Sequence, residues 1–317
     1  MFPHLQQRLN DFRQQSRVQA GSLITSVFGD AVLPRGGSLW LGSLIGLLEP
    51  LGLNERLVRT SVFRLAKEGW LQAQAQGRRT DYQLTPTGQR RFEEASRQIY
   101  AAESPLWDRR WRLIMVVGEL PARRREQLRR ALFWQGFGDL ATGCFVHPGA
   151  DLNAAFDALL TDGMGDLVPN LISLVAANPR VGDSATDDDI VRRAWNLDRL
   201  AADYTAFVQQ YQPMLDELRS TSIEHMQGVE AFLARTLLIH DYRRLLLRDP
   251  ELPEVLLPTA WPGHAARALC QEIYRRLLSD SEQFLDQALQ LANGTVPPAS
   301  ALLHQRFQGR DVLAGVA

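Results

Sequence analysis

The sequence predicts a multidomain, mainly α protein, and three patterns carry that expectation. Apolar residues at helical spacing, closed by two short alternating strands, fill residues 21–105. Strand and helix patterns alternate over 106–180, and an apolar repeat of three or four residues runs through 187–293. At 317 residues the chain exceeds one ordinary core, so two or three domains are expected. An arm over 1–20 and a mostly irregular tail over 294–317 complete the division.

Composition narrows the class. Hydrophobic content of 45 % and charged content of 22 % are those of a soluble globular protein. Cys144 and Cys270 lie far apart and make no disulfide framework, which points to a reducing cytoplasm. The first residues lack an apolar segment of secretory type. The longest apolar stretch, 38–53, is broken by Glu49-Pro50 and is too short to span a bilayer, so no membrane partner is expected. Gly42-x-x-x-Gly46 inside it reads as close packing of soluble helices.

The net charge of −1 conceals an asymmetry. Residues 1–105 hold 13 basic and 9 acidic side chains, and residues 54–91 hold 8 and 3. Every basic residue except Lys67 is arginine, whose planar fork suits phosphate and guanine. A basic segment on an acidic remainder suggests a polyanion partner, although a solvated face has the same composition.

Residues 1–20 suit a short amphipathic helix or a frayed arm. Ser22 is placed to cap a helix reaching about Gly29, with Leu23, Ile24, Val27 and Phe28 on one face. Pro34-Arg35-Gly36-Gly37 reads as a turn. Ser38 starts a second expected helix that Pro50 stops, and Leu51-Gly52-Leu53 is a tight connector. Asn54 then caps a third helix, ended by Gly69. On a wheel of roughly 100° per residue, Val58, Ser61, Val62 and Leu65 form its inner stripe. Arg56, Thr60, Phe63 and Lys67 face outward, flanked by Arg59 and Arg64, with no acid to balance that face. Its length suits the DNA major groove. Residues 70–75 and 78–84 read as strands turning at Gln76-Gly77, and Thr85-Pro86-Thr87-Gly88 opens a helix to about Ala102. Three helices followed by a hairpin with Arg78 and Arg79 at its tip make a winged helix-turn-helix over 21–105. The candidate DNA contacts are therefore Asn54, Arg56, Arg59, Thr60, Phe63, Arg64, Lys67, Arg78 and Arg79.

Next come a strand over 111–117, a basic helix over 123–134, a strand over 140–146, a helix over 151–160 and a strand over 167–176. This alternation suggests a small ferredoxin-like α/β domain over 106–180. Residues 178–189 read as an acidic linker ending in a cap at Thr186 or Asp187. Leu197, Leu200, Tyr204, Phe207 and Tyr211 mark one helix, and Phe232, Leu233, Thr236, Leu237 and His240 another. A last helix over 264–291 precedes the tail. This helical domain, 187–293, is expected to bind an effector and to dimerise.

Several segments together resemble the PaaX family. They are Gly21-Ser-Leu-Ile-Thr-Ser-Val-Phe-Gly-Asp30, Arg35-Gly-Gly-Ser-Leu-Trp-Leu-Gly-Ser43 and Val58-Arg-Thr-Ser-Val-Phe-Arg-Leu-Ala-Lys-Glu-Gly-Trp70. Gly77-Arg-Arg79, Trp107-Asp108, Trp134-Gln-Gly-Phe-Gly138, His240-Asp-Tyr-Arg-Arg244, Asp249-Pro-Glu-Leu-Pro253 and Gln305-Arg306-Phe307 extend the likeness along nearly the whole chain. The resemblance implies a transcriptional repressor of phenylacetic acid (aromatic) catabolism genes. Such a repressor binds double-stranded operator DNA, is released by phenylacetyl-CoA and holds no resident cofactor. The family's DNA-binding motif falls on residues 54–79 here. Arg109 stands where members often have glycine, adding charge beside the joint between domains. A homodimer is expected, because two-fold symmetry lets two recognition helices read half-sites about one turn apart. A paralogous regulator answering another aromatic or acyl-CoA signal fits the same residues.

The phosphates of a CoA ester need converging arginines. Arg123-Arg124-Arg125, Arg129-Arg130, Arg243-Arg244 and Arg275-Arg276 are candidates. Trp195, Tyr204, Tyr242 and Trp261 are candidates for an apolar slot, with His240 beside them. Each arginine pair reads more simply as a solvated helix face, and core packing explains the aromatic set equally well. An acyl-CoA or nucleic-acid enzyme with an accessory winged helix is the remaining alternative. No Gly-x-Ser-x-Gly elbow occurs, and Gly182-Asp-Ser184 lies in the acidic linker. Gly136-Phe-Gly138-Asp-Leu-Ala141 matches a loose dinucleotide fingerprint but follows a helix, where a strand is required. Glu119 has no matching acid, His240 and Asp241 point apart, and the histidines are scattered. Neither catalytic residues nor a metal site is expected.

Overall fold

The computed structural model describes residues 2–14, 19–178, 184–220 and 227–308. α1 (Pro3–Arg13) buries Leu5, Leu9 and Phe12, so the arm is a seated amphipathic helix. α2 (Ala20–Val27) begins before Ser22, whose hydroxyl accepts from Arg243 inside the helix and caps nothing. Gly29 does not stop the coil. A π-turn, Phe28–Val32, and a 3-10 turn, Leu33–Arg35, carry it on to Gly36 at φ +89°.

The helix expected from Ser38 begins only at Leu41. Residues Ser38–Trp40 form β1, because β3 (Arg79–Leu84) offers them a ladder with Leu39 opposite Tyr82. After α3 (Leu41–Leu48), the elements α4 (Glu55–Lys67), β2 (Leu71–Gln76) and α5 (Pro86–Ile99) lie within a few residues of where the sequence predicts them. The sheet has the order β1-β3-β2 and is antiparallel. Thr85 caps α5 by accepting from the Gly88 N–H at 2.9 Å. Glycine is needed there, since a Cβ would stand 2.3 Å from the Trp70 carbonyl oxygen.

Contacts divide the chain into two compact units, each assembled from separate stretches of sequence. The first unit joins Met1–Ala102 to Ala206–Arg243 and His264–Ala317. The boundaries therefore fall within α9 (Leu197–Ser220), α10 (Gly228–Leu246) and near the start of α11 (Pro262–Ala288). The physical reason is a buried ionic cluster that no local pattern announces. Asp30, in the π-turn, accepts from Arg235 at 2.7 Å, Arg306 at 2.8 Å, Tyr100 at 2.6 Å and Tyr274 at 3.0 Å. Arg235 also donates to Glu282 at 2.6 Å and Ser281 at 2.7 Å. Arg35 donates to Glu282 and Asp286, each at 2.7 Å. Opposite charges so placed offset the desolvation that each would suffer alone. The tail beyond α11 is largely irregular but anchored, with Phe307 buried and Arg306 on Asp30. Its residues past 308 lie outside the described residues.

The second unit comprises Glu103–Thr205 and Arg244–Gly263. β4 (Trp111–Val116), α6 (Ala122–Phe133), β5 (Gly138–Ala141), β6 (Cys144–His147), α7 (Leu152–Thr161) and β7 (Leu171–Ala176) succeed one another. They build an antiparallel sheet of order β5-β6-β4-β7. The single strand expected over 140–146 is a hairpin, folded at Gly143 with φ +79°. Residues Gly165–Asn170 form a 3-10 turn, so the strand expected from Leu167 starts at Leu171. One sheet face packs Ile114 and Phe145 against Leu128 and Leu132 of α6 and Leu159 of α7. The other packs Trp111 and Val146 against Val191, Trp195, Leu252 and Leu256. α8 (Asp187–Ala194) starts at a capping box between Thr186 and Asp189. Residues 179–183 of the expected linker, with Gly182, lie outside the described residues.

The fingerprint-like glycines are explained by packing. Gly136 ends α6 at φ +84°, and a Cβ on Gly138 would meet Ala194 Cβ at 2.6 Å. Both cysteines are free, and burial pushes the Cys144 and Cys270 thiols above their ordinary range. Among the described residues no helix is long and apolar enough to cross a membrane.

Candidate nucleic-acid interface

α4 is held at its ends and along one stripe. Asn54 Oδ1 accepts from the Leu57 N–H at 2.9 Å, satisfying a donor that the helix cannot satisfy itself. Gly69, at φ +76°, turns the chain away beyond the other end. Val58 and Val62 are fully buried, where α2 and α3 pack on α4. Ser61 and Leu65 are half-buried. Arg56, Arg59, Thr60, Phe63, Arg64 and Lys67 share an exposed face. Asn54→Ala is expected to lower stability by about 1 kcal/mol through loss of the cap. A thermal melt of the full chain measures it, and an unchanged midpoint would remove Asn54 from the account of this helix.

The cationic face does have acids, contrary to the expectation. Arg59 pairs with Glu55 at 2.7 Å and Arg64 with Glu68 at 2.9 Å, one helical turn apart. Spacing of four residues brings such side chains together, and that signal was legible. Exposed pairs of this kind contribute little, so a phosphate can replace the carboxylate readily. Arg56 and Lys67 have no carboxylate partner among the described residues. Thr60 Oγ1 donates to the Arg56 carbonyl at 2.8 Å. Phe63 is 68 % exposed, a large apolar group that gains nothing from the fold and suits a thymine methyl.

Beside this face stands the β2–β3 hairpin, with Gln76 opposite Arg79 across a two-residue turn. Gly77 takes φ +61°, a backbone conformation that favours glycine. Arg78, at the tip, is exposed. Arg79 is committed elsewhere: its guanidinium lies 4.5 Å over the Trp40 ring and donates to the Ala292 carbonyl at 3.2 Å. The same C-terminal stretch braces the sheet further. The Ala292 N–H donates to buried Asp81 at 2.6 Å, and the Trp40 N–H donates to the Gln290 carbonyl at 2.9 Å. Nothing in the linear pattern flags a brace 213 residues away from Arg79.

The nine candidate effector residues are divided between the two units. Arg123, Arg124 and Arg129 lie on α6, where Arg124 pairs with Asp166 and Arg129 with Glu126. The Arg129 and Arg130 guanidiniums hold the Glu126 carboxyl down to about 2. Trp195, Tyr204 and Arg244 belong to the second unit, and Tyr204 bonds to Asp249. His240, Tyr242 and Arg243 are contacts that seat α10 on its neighbours in the first unit. His240 Nδ1 is 3.1 Å from Ser26 Oγ, and Arg243 donates to Ser22 Oγ at 2.7 Å. Tyr242 is buried with its ring 5.6 Å from that of Phe207. Asp241 points elsewhere, accepting from Arg8 at 2.5 Å and Tyr211 at 2.7 Å, so no His-Asp dyad forms.

Comparison with known proteins first defines the class. Family models match three successive stretches: "PaaX-like protein" over 19–88, "PaaX protein central Cas2-like domain" over 104–178 and "PaaX-like protein C-terminal domain" over 195–287. The chain belongs to the PaaX family. It is 39 % identical over 295 residues to the transcriptional repressor PaaX of Escherichia coli (strain K12), covering 93 % of this chain and 92 % of that protein. A solved structure, "Uncharacterized protein Rv0674 from Mycobacterium tuberculosis", shares 21 % identity with a TM-score of 0.49, over 76 % of this chain and 89 % of that one.

Proposed function

We propose that the protein is a transcriptional repressor of phenylacetate catabolism genes, binding operator DNA as a homodimer and released by phenylacetyl-CoA. The observation that carries this reading is the exposed face of α4, six side chains wide, on a chain whose close relative is named a transcriptional repressor. α2, α3, α4 and the β2–β3 hairpin supply the parts of a winged helix-turn-helix, with α4 as the recognition helix. The βαββαβ succession of the second unit has the strand order of a ferredoxin-like fold. The protein is a regulator, not an enzyme, and works in the cytoplasm.

In this reading Arg56, Arg59 and Arg64 address guanine edges or phosphates, Phe63 a thymine methyl and Arg78 a phosphate. Arg79 acts mainly by stiffening the wing against Trp40. Operator titrations over a range of salt test it. Arg78→Ala is expected to reduce the slope of log affinity against log salt by about one. An unchanged slope would take the wing off the DNA. Phenylacetyl-CoA is expected to weaken operator binding in the same assay, with a coupling of about 1–3 kcal/mol. Undiminished binding would overturn phenylacetyl-CoA as the effector.

A further inference from the structure

The second unit contains a cleft that none of the residues discussed above explains except Trp195. It has a volume of about 410 Å³ and is walled by Phe133 and Trp134 at the end of α6, Trp195 and Leu197 at the α8–α9 joint, and Arg199 and Arg248. That volume is in the range of small-molecule sites, which combine apolar walls with a few placed polar groups.

The lining is of two chemical kinds. Among its aromatic residues Trp195 is locked in place. Its indole N–H donates to the Gly136 carbonyl at 3.0 Å, and its ring stacks on Trp111 with centroids 6.4 Å apart. Gly136 is itself pinned, since a Cβ there would meet His147 Nε2 at 3.0 Å. Trp134, also in the lining, leaves 69 % of its surface in water, and Phe133 leaves 48 %. Adjacent exposed aromatic residues at the rim of a concavity signal an absent apolar partner. The lining also holds two cations and one acid, Arg199, Arg248 and Asp203. Arg199 has no carboxylate partner among the described residues. Arg248 reaches Asp203 only at 3.5 Å, with side chains 54 % and 36 % exposed. That pair is loose and exchangeable. Asn196 caps the first turn of α9 at the cleft wall, accepting from the Arg199 N–H at 3.2 Å, and the helix N-terminus adds positive potential.

We infer that this cleft is a binding site for an anionic ligand with a flat apolar end, the ring lying against Trp134 and Trp195 and the negative group on Arg199 and Arg248. The net positive lining selects an anion, and the fixed indole selects a ring. A free aromatic carboxylate and its phosphate-bearing thioester share this chemistry. The inference rests on the reading of the protein as an effector-released repressor, and it names where such an effector would sit.

Isothermal titration of the full chain with phenylacetate, phenylacetyl-CoA and CoA alone tests it, using the wild type, Trp134→Ala and the double variant Arg199→Ala/Arg248→Ala. All the replaced side chains reach solvent, and melting midpoints with operator affinity in the absence of ligand serve as folding controls. Whichever aromatic probe binds the wild type is expected to bind each variant at least about tenfold more weakly. CoA binding without an aromatic end should survive Trp134→Ala and weaken in the arginine variant. Equal affinity of wild type and variants for a bound aromatic probe overturns the cleft while leaving the effector reading standing. Phenylacetate binding that the variants abolish, without release of DNA by any probe, upholds the cleft and overturns the effector reading. Failure of both aromatic probes to bind the wild type overturns the cleft assignment.

Discussion

Asp30→Asn is expected to destabilise the protein by about 3–5 kcal/mol, the cost typical of removing one partner from a buried charge cluster. The substitution keeps the shape of the side chain but removes its charge and turns one accepting oxygen into a donor. It leaves the Arg235 and Arg306 guanidiniums, 2.7 and 2.8 Å away, without their shared carboxylate. Burial alone would raise the Asp30 pKa, but Arg235, Arg306 and the Tyr100 hydroxyl outweigh it and hold the carboxyl below its ordinary range. The sign follows: a carboxyl whose pKa is lower in the folded state stabilises fully above its unfolded value. That contribution is lost as pH falls through the folded value. Urea titrations of wild type and variant measure the difference at neutral pH, and repeating them in acid should show the two curves converging. A loss under about 1 kcal/mol would mean that the cluster is held by packing and neutral hydrogen bonds.

Arg59→Ala is expected to weaken specific operator binding by roughly 1–3 kcal/mol, or about tenfold to a hundredfold. The loss should exceed that of Arg56→Ala. Removing Arg59 takes away a cation and also exposes Glu55, its partner at 2.7 Å, to the phosphates. Glu55→Gln should therefore strengthen binding while leaving the fold intact. Fluorescence anisotropy at fixed salt with a labelled operator reports all three. Wild-type affinity in both arginine variants would remove α4 from the interface.

What could be read from the sequence was local. Asn54 and Gly69 mark the ends of α4 through their own backbone chemistry, and the alternation of Val58 and Val62 with Arg59 and Phe63 marks its faces. Thr85, Asp151 and Thr186 announce their helices in the same way. The errors share a different cause. Ser38 looks like a helix start until β3 supplies a ladder for it, and Gly29 looks like a stop until the π-turn passes through it. The hairpin at Gly143 was hidden because 140–146 is apolar enough for one strand. The acids on α4 were overlooked because a wheel sorts residues by angle, whereas Glu55 and Glu68 reach sideways along the axis. The partners of His240 and Arg243, Ser26 and Ser22, lie more than 200 positions earlier, beyond the reach of any local pattern.

The cluster around Asp30 and the Ala292 brace bear on how such a protein can change its target. Residues 21–105 are not a cassette. A fragment ending there would lack Arg235, Glu282 and Arg306, and its wing would lose the support of residues 290–292. Grafting that fragment onto a foreign body would leave an interior acid facing the wrong neighbours. If α4 reads the operator as proposed, new preferences are therefore more accessible by exchanging single residues on its exposed side than by recombining whole gene segments.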